Sequence, residues 1–237
     1  MVFQDIWRGD SRDLCDKFKP GRVNCIITDP PFGIDNQSNM AVTPDGEKMA
    51  RKIANDSSPE EAIVIFHEVM NVLLPKTSTD CDMYIFTATP VLYEWLEVAR
   101  RLKARHAFEL KAILVWAKEG PGMGDLDSWG QGHEFILFLK KGRRPSTDVR
   151  RSGVLHVPQV RPSDLIHPHE KPEALLEMLL RHSTDEGDFV VDPFGGSGSL
   201  VRAARNMDRS AISIELDEFN FNEAMKKFEA TGGGLFS

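Results

Sequence analysis

At 237 residues the chain is long enough for one sizeable α/β domain and short for two, and a net charge of −7 argues against a uniformly polyanion-binding surface. No apolar run approaches the roughly 20 residues of a membrane helix, and Met1-Val2-Phe3-Gln4-Asp5 lacks the basic start of a secretory signal, so a cytoplasmic protein without a membrane span is expected. Cys15, Cys25 and Cys81 are too scattered for a disulfide framework, a redox pair or a metal site, which leaves them as small buried hydrophobes.

Phe3-Gln4-Asp5-Ile6-Trp7-Arg8 reads as a first strand ending at Gly9-Asp10-Ser11, followed by a short helix through Leu14 and Phe18. Val23 to Thr28 is a short apolar run of the kind that makes a buried strand, and Asp29-Pro30-Pro31-Phe32 follows at its carboxyl end. Each proline fixes its own φ and steers the preceding residue away from helix, so this turn is stiff and its carbonyls point outward. A carboxylate, free acceptors and a flat ring at a strand's carboxyl end suit a planar group carrying an NH2. The alternative is a proline-rich turn with Asp29 as a local cap.

From 33 to 57 no apolar period persists, and a polar stretch of about 25 residues exceeds an ordinary connection, so a mobile loop over the site is expected. Ser58-Pro59-Glu60-Glu61 is a capping box with proline at the first helical position, opening a helix through Ile63, Phe66, Val69, Met70 and Leu73. A strand from Met83 to Thr87, a helix from about Val91 to Lys103 and a strand from Ala112 to Trp116 come next. Glu119 to Gly132 is a second irregular loop containing Gly120, Gly122, Gly124, Gly130 and Gly132. Phe135 to Leu139 returns as a strand antiparallel to the one before it.

The following segment gathers Lys140, Lys141, Arg143, Arg144, Arg150, Arg151 and Arg161 against the single acid Asp148. Pro145, Pro158 and Pro162 interrupt it, and it reads as a surface excursion suited to nucleic-acid phosphates or, alternatively, as a solvated charged loop. His167-Pro168-His169-Glu170-Lys171-Pro172 then opens a helix through Leu175, Leu176, Leu179 and Leu180. The strand Phe189-Val190-Val191 ends in Asp192-Pro193-Phe194-Gly195-Gly196-Ser197-Gly198-Ser199. A helix, the strand Ala211 to Ile214 closing on Glu215, and a last helix capped by Asp217 complete the chain, with Gly232-Gly233-Gly234 fraying its end. Seven strands with helices between most of them predict one doubly wound, mostly parallel α/β sheet with an antiparallel strand. A single domain over 1–237 carries loop insertions at 33–57 and 119–132 and a basic recognition segment at 140–166.

Residues 189 to 215 read as a nucleotide-binding βαβ half, in which glycines let a ligand approach the backbone and Glu215 accepts from both ribose hydroxyls. A dinucleotide fingerprint would need a glycine where Val201 stands, and no Gly-Lys-Ser/Thr marks a P-loop. A nucleoside ligand without a demanding pyrophosphate remains, and Asp192 beside the turn suits an amine. The alternative is glycine packing of a helix against the sheet, with Glu215 solvated.

Asp29-Pro30-Pro31-Phe32, His167-Pro168-x-x-Lys171-Pro172 and Asp192-Pro193-Phe194-x-Gly196-Ser197-Gly198, in this order, resemble the amino-methyltransferases of DNA in the permuted arrangement called the β class. The likeness covers nearly the whole chain, including Gly9-Asp10 and His133-Glu134. It implies a Rossmann-like, circularly permuted methyltransferase fold and S-adenosylmethionine as cofactor. By that resemblance Asp192, Phe194, Gly196 and Ser197 hold the methionine part, with Gly195 and Gly198 in the same turn. His167 and Lys171 lie near its carboxylate, Glu215 binds the ribose and Asp10 the adenine of the cofactor. Asp29, the Pro30 carbonyl, Pro31 and Phe32 hold the target base.

The implied reaction is methyl transfer to the exocyclic amino group of adenine in DNA, with the base flipped out of the duplex. Methylation of the cytosine amino group is the alternative, although relatives doing that more often have Ser or Thr where Asp29 stands. A non-catalytic DNA-binding module is a more distant one. Many relatives have Tyr at Phe32 and Thr at Ser199, and His169-Glu170 replaces more usual uncharged residues. Relatives are often homodimers, which nothing in this sequence decides.

Overall fold

The computed structural model describes residues 2–33, 37–42, 48–52, 58–120, 127, 129–146, 151–167 and 169–232. In chain order the elements are β1 (Gln4–Arg8), α1 (Ser11–Leu14), β2 (Val23–Thr28), β3 (Gln37–Val42), β4 (Lys48–Lys52), α2 (Pro59–Leu73), β5 (Thr77–Thr87), α3 (Leu92–His106), β6 (Glu109–Ala117) and β7 (His133–Lys141). They continue with β8 (Val154–His156), α4 (Glu173–Ser183), β9 (Phe189–Asp192), α5 (Ser199–Arg205), β10 (Ser210–Glu215) and α6 (Glu218–Ala230). Eight strands form one mixed sheet in the order β1-β10-β9-β2-β5-β7-β6-β8, and β3 pairs with β4.

The period-two alternation of the strands assigns each side chain to one of two cores. Ile26, Met83, Ile85, Leu137, Leu139, Val191, Ile212 and Ile214 face Phe66, Val69, Met70 and Leu73 of α2 and Trp95, Val98 and Leu102 of α3. Their chain neighbours Cys25, Ile27, Tyr84, Phe86, Ile136, Phe138, Val190 and Ala211 face Leu175, Leu176, Leu179 and Leu180 of α4, Leu200 and Val201 of α5, and Phe228 of α6. The sheet is therefore covered on both faces, as its continuous apolar strands require. The three cysteines are buried, and burial pushes the Cys15 thiol up to about 12.

The predicted α/β architecture holds, with one more strand than the expected seven in the main sheet. The addition is β8, which pairs parallel to β6 at Val115↔Val154 and Ala117↔His156, within the segment expected to be an irregular excursion. Three residues are too few to show a period. The segment 33–57 contains the antiparallel β3–β4 pair, also unpredicted; its other residues, apart from Gly33, lie outside the described ones. A Cβ on Gly33, whose φ is +73°, would lie 2.0 Å from the Ser58 backbone. The excursion thus leaves and rejoins the fold at one point, and glycine is required there.

Topology positions the site. β2 and β9 lie side by side and parallel, with Cys25↔Val190 and Ile26↔Val191 in register. From β2 the sheet extends through β5, and from β9 it extends in the other direction through β10. A crevice opens outside the carboxyl ends of such a pair of strands. It is here that Asp29 and Asp192, 163 positions apart in the chain, become neighbours.

Candidate active site

Asp29 leaves β2 into this crevice. Its Oδ2 accepts a hydrogen bond from Lys171 Nζ at 2.6 Å, while its Oδ1 is buried without a partner. Burial raises the Asp29 carboxyl above the usual range, Lys171 opposes that rise and Glu134 adds to it. Lys171 also lies 3.1 Å from Glu134 Oε2, and Lys118 Nζ donates to Glu134 Oε1 at 2.5 Å. For Glu134 burial would push the carboxyl up, but the two lysines outweigh it and hold it down at about 2. The Lys171 ammonium sits 5.0 Å from the Phe86 ring centroid, a cation–π contact. Two acids and two bases thus form a balanced chain ending on the clamp. Beside it Pro30 is buried, and Phe32 is half-buried against the α2–α3 core.

At the end of β9 the Asp192 Oδ1 accepts the Phe194 amide at 3.0 Å, and the Pro193 carbonyl accepts Ser11 Oγ at 2.5 Å. The Phe194 ring lies 6.4 Å from that of Phe66, near-parallel at 15°. Gly195 passes so close to β10 that a Cβ would stand 2.9 Å from the Ser213 Cβ. Gly198 adopts a φ of +66° and precedes α5, with no room for a Cβ beside Ile6. Glu215 reaches back across the turn: Oε2 accepts the Gly196 amide and Oε1 the Asp217 amide, both at 2.7 Å. His167 lies over Gly196, and its Nδ1 accepts the His169 amide at 3.2 Å, which leaves the ring proton on Nε2. Burial, then the nearby His169 and Lys171 charges, lowers His167 to about 3, so the ring is a neutral donor.

Buried polar atoms without partners concentrate at this edge. Among the described residues, Asp29 Oδ1 and Thr87 Oγ1 are such atoms at one rim of the β2 and β5 strands, and Ser213 Oγ lies under Gly195. Folded proteins rarely leave such atoms orphaned unless a ligand or water completes them. Asp192 and Glu215 tell the same story, since burial lifts both to about 7 and neither has a cationic side-chain partner among the described residues. For a carboxyl raised in the folded state the native protein holds the extra proton between about pH 4 and pH 7. Its contribution to stability is therefore complete below about pH 4 and lost as pH rises through 7. Asp192→Asn keeps an acceptor for the Phe194 amide and removes the buried charge that forms above pH 7. It is expected to raise Tm by a few degrees at pH 8 and not at pH 5, checked by calorimetry of the ligand-free protein.

The remaining predicted residues are placed differently. Asp10 caps α1 and is gripped by Arg12, with 2.8 Å to its amide and 2.6 Å to its guanidinium, and Arg12 also bonds Glu68 at 2.7 Å. That side-chain bond holds the Asp10 carboxyl below its usual value. Gly9 donates to the Glu215 carbonyl at 2.9 Å, so Asp10 and Glu215 stand at adjacent strand ends. Lys171, expected near a cofactor carboxylate, donates to Asp29 Oδ2.

The basic segment does not act as one stretch. β7 is antiparallel to β5, so its carboxyl end runs to the edge of the sheet opposite Asp29. There Lys140 bonds both oxygens of buried Asp82 at 2.9 and 3.0 Å, Lys141 donates to Thr77 Oγ1 at 2.9 Å, and Arg144 pairs with Asp188 at 2.7 Å and with Asp185. Arg143 and Arg151 are exposed, Arg161 is exposed beside Asp164, and Arg150 lies outside the described residues. The sequence reading assigned no role to Lys118 or Arg202. A lysine just past the end of β6 was the one signal that could have flagged the first.

The geometry is thus a nucleotide-type turn facing an acceptor clamp across a switch-point crevice. A sequence model of the DNA methylase family covering N6 and N4 enzymes matches residues 147–226. The type II methyltransferase M2.DpnII of Streptococcus pneumoniae is 42% identical over 242 residues, spanning 93% of this chain and 88% of the relative. Among solved structures, the M1.HpyAVI–SAM complex superposes with a TM-score of 0.69 at 21% identity, covering 96% of this chain and 99% of that one. The cytosine-N4-specific PvuII DNA methyltransferase gives 0.73 at 18%, covering 96% and 87%. These last two share the fold. With near full-length identity of this order to a DNA methyltransferase, and both halves of the crevice in place, the chain belongs to the N6/N4 family of DNA methyltransferases.

Proposed function

We propose that the protein transfers a methyl group from S-adenosylmethionine to the N6 amino group of adenine in DNA, on a base flipped into the crevice. One observation carries the reading: Asp29 has one oxygen fixed by Lys171 and the other buried and unpartnered, at the strand end next to the Asp192 turn. A free acceptor of this kind fits an NH2 donor.

The turn fits the cofactor by its donor set. Buried carboxyls at Asp192 and Glu215 have no cationic side-chain partner among the described residues, and neutral His167 offers an N–H over Gly196. Asp192, Phe194, Gly195, Gly196, Ser197 and Gly198 would hold the methionine part with His167 at its carboxylate, Glu215 would hold the ribose, and Asp10 the adenine edge. When bound, S-adenosylmethionine supplies an electrophilic methyl group on a sulfonium.

The chain's residues do the rest. The adenine amino nitrogen is a weak nucleophile because its lone pair is delocalised into the ring. Hydrogen bonds to Asp29 Oδ1 and the Pro30 carbonyl favour a pyramidal nitrogen with that pair available. Orientation supplies the larger share, on the order of 7–11 kcal/mol in favourable cases. Asp29 is also the acceptor for the proton that the methylated nitrogen must lose. Flipping costs a few kcal/mol, offset by stacking on Phe32 and by phosphate contacts, which we assign to the exposed Arg151 and Arg161.

Asp29 favours adenine, whereas the PvuII likeness keeps the cytosine amino group as the second reading. Incubation with methyl-labelled S-adenosylmethionine and mixed duplex DNA, digestion to nucleosides and chromatography is expected to yield N6-methyladenosine as its deoxynucleoside. Label in N4-methylcytosine would transfer the reading to cytosine. Unlabelled DNA would reject it.

A further inference from the structure

Sequence resemblance puts Lys171 near the cofactor, and in the structure its ammonium is held by Asp29 and Glu134. Lys171 stands just before α4, Glu134 opens β7 and Lys118 follows β6, whose backbone closes on the connector where the Lys118 amide meets the Gly132 carbonyl at 2.8 Å. Three separate elements are thereby linked in series to Asp29, through Lys118–Glu134 at 2.5 Å, Glu134–Lys171 at 3.1 Å and Lys171–Asp29 at 2.6 Å. Lys171 is nearly inaccessible, and the Phe86 ring closes another side of its ammonium. A buried lysine ammonium loses much of its hydration and is retained only where acids and hydrogen bonds replace it.

We propose that Lys171 is a positioning residue for methyl transfer: it fixes Asp29 through Oδ2, keeps that carboxyl ionised, and turns Oδ1 toward the target amine, while Glu134 and Lys118 hold Lys171 itself in place. This rests on Asp29 being the acceptor of the amino group. The charge pattern has a direction built in. Around Asp29 stand Lys171 and His169 from the segment before α4, Glu134 from β7 with Lys118 behind it, and Asp192 from β9. Loss of Lys171 removes the strongest opposition to burial, so Asp29 takes up its proton more readily. Loss of the Glu134 charge does the opposite, because a like charge leaves and Lys171 turns wholly to Asp29. A pair that serves stability alone would not place the carboxyl's second oxygen, buried and unpartnered, in the crevice.

The test titrates Asp29 in the full-length, ligand-free protein by 13C NMR of labelled aspartate carboxyls, the signal being assigned by its loss in Asp29→Asn. In Lys171→Met the midpoint is expected to rise by about one pH unit or more, in Glu134→Gln to fall, and in Lys171→Arg to stay near wild type. The acid limb of the single-turnover methylation rate should follow these midpoints. S-adenosylmethionine affinity by titration calorimetry should stay within about threefold, well under the roughly 1.4 kcal/mol of a tenfold change. Should Lys171→Met fail to fold, the downward shift in Glu134→Gln decides the matter. An unmoved Asp29 titration overturns the inference, as does a tenfold loss of cofactor affinity with the acid limb in place. A shifted Asp29 in a protein that methylates no DNA rejects the proposed function and with it the positioning role, leaving only the ion pair.

Discussion

Asp29→Ala is expected to bind S-adenosylmethionine with near wild-type affinity and to lose methyl transfer by about 10²–10³-fold or more, the cost of removing one preorganised hydrogen-bonding group from a reacting centre. The cofactor contacts proposed above lie on the β9–α5 turn and Glu215, none of which uses Asp29, so binding and chemistry separate. Asp29→Asn sharpens the test because it keeps the shape. Lys171 Nζ can only donate, and in the native structure it donates to Oδ2 at 2.6 Å. The amide oxygen of an asparagine must therefore turn to Lys171, which presents the amide NH2 to the crevice. A donor then faces the donor NH2 of the base, and the variant should be as inactive as alanine despite being isosteric. Calorimetry for cofactor affinity and single-turnover labelling for the chemical step measure the two halves. Near-normal turnover in either variant would remove Asp29 from the centre of the reaction.

How much of this was legible in the sequence follows from what each signal encodes. The two halves of the crevice were readable because a strand that ends in Asp-Pro-Pro-Phe and one that ends in Asp-Pro-Phe-Gly-Gly carry local backbone chemistry: proline fixes φ, and glycine admits close approach. The continuous apolar runs of β2, β5, β7 and β9 were equally local. The face-to-face meeting of Asp29 and Asp192 follows from the strand order, and that order was inferred as a class of sheet more than read residue by residue. Strand direction was the information missing for the basic segment. Seven positive charges close in sequence look like one patch, yet the antiparallel run of β7 carries Lys140, Lys141 and Arg144 to the far edge, where Asp82, Thr77 and Asp188 engage them. Composition counts charges and cannot see partners brought in by register. Lys171 shows the same limit at the site itself, since its partner is 142 residues away. Glu170 acquires its reason only with Arg202, Lys227 and the Ile166 amide around it.

That last group predicts the largest loss of stability. Arg202 on α5 and Glu170 in the loop before α4 each expose 1% of the side chain and meet at 2.6 Å. The same guanidinium bonds Glu173 at 2.6 Å and the Ser197 carbonyl at 2.6 Å, and Lys227 of α6 adds a second cation to Glu170 at 2.7 Å. Arg202 thus ties the loop bearing His167 and Lys171 to the turn that bears Ser197. Arg202→Met removes the planar fork while keeping comparable length, leaving the buried Glu170 carboxylate with Lys227 and the Ile166 amide, and the Ser197 carbonyl without this donor. Breaking one side of a buried pair costs about 3–5 kcal/mol. In a domain of this size each kcal/mol lowers Tm by about 2–4 °C. Arg202→Lys should lose an intermediate amount, since one ammonium cannot make three divergent bonds. The decisive comparison is Glu170→Gln with Arg202→Met: if the two groups act as one unit, the double variant is more stable than the sum of the single losses predicts. Simple additivity in thermal melts would show that Arg202 contributes through packing, and that the loop is held in place by something other than this pair.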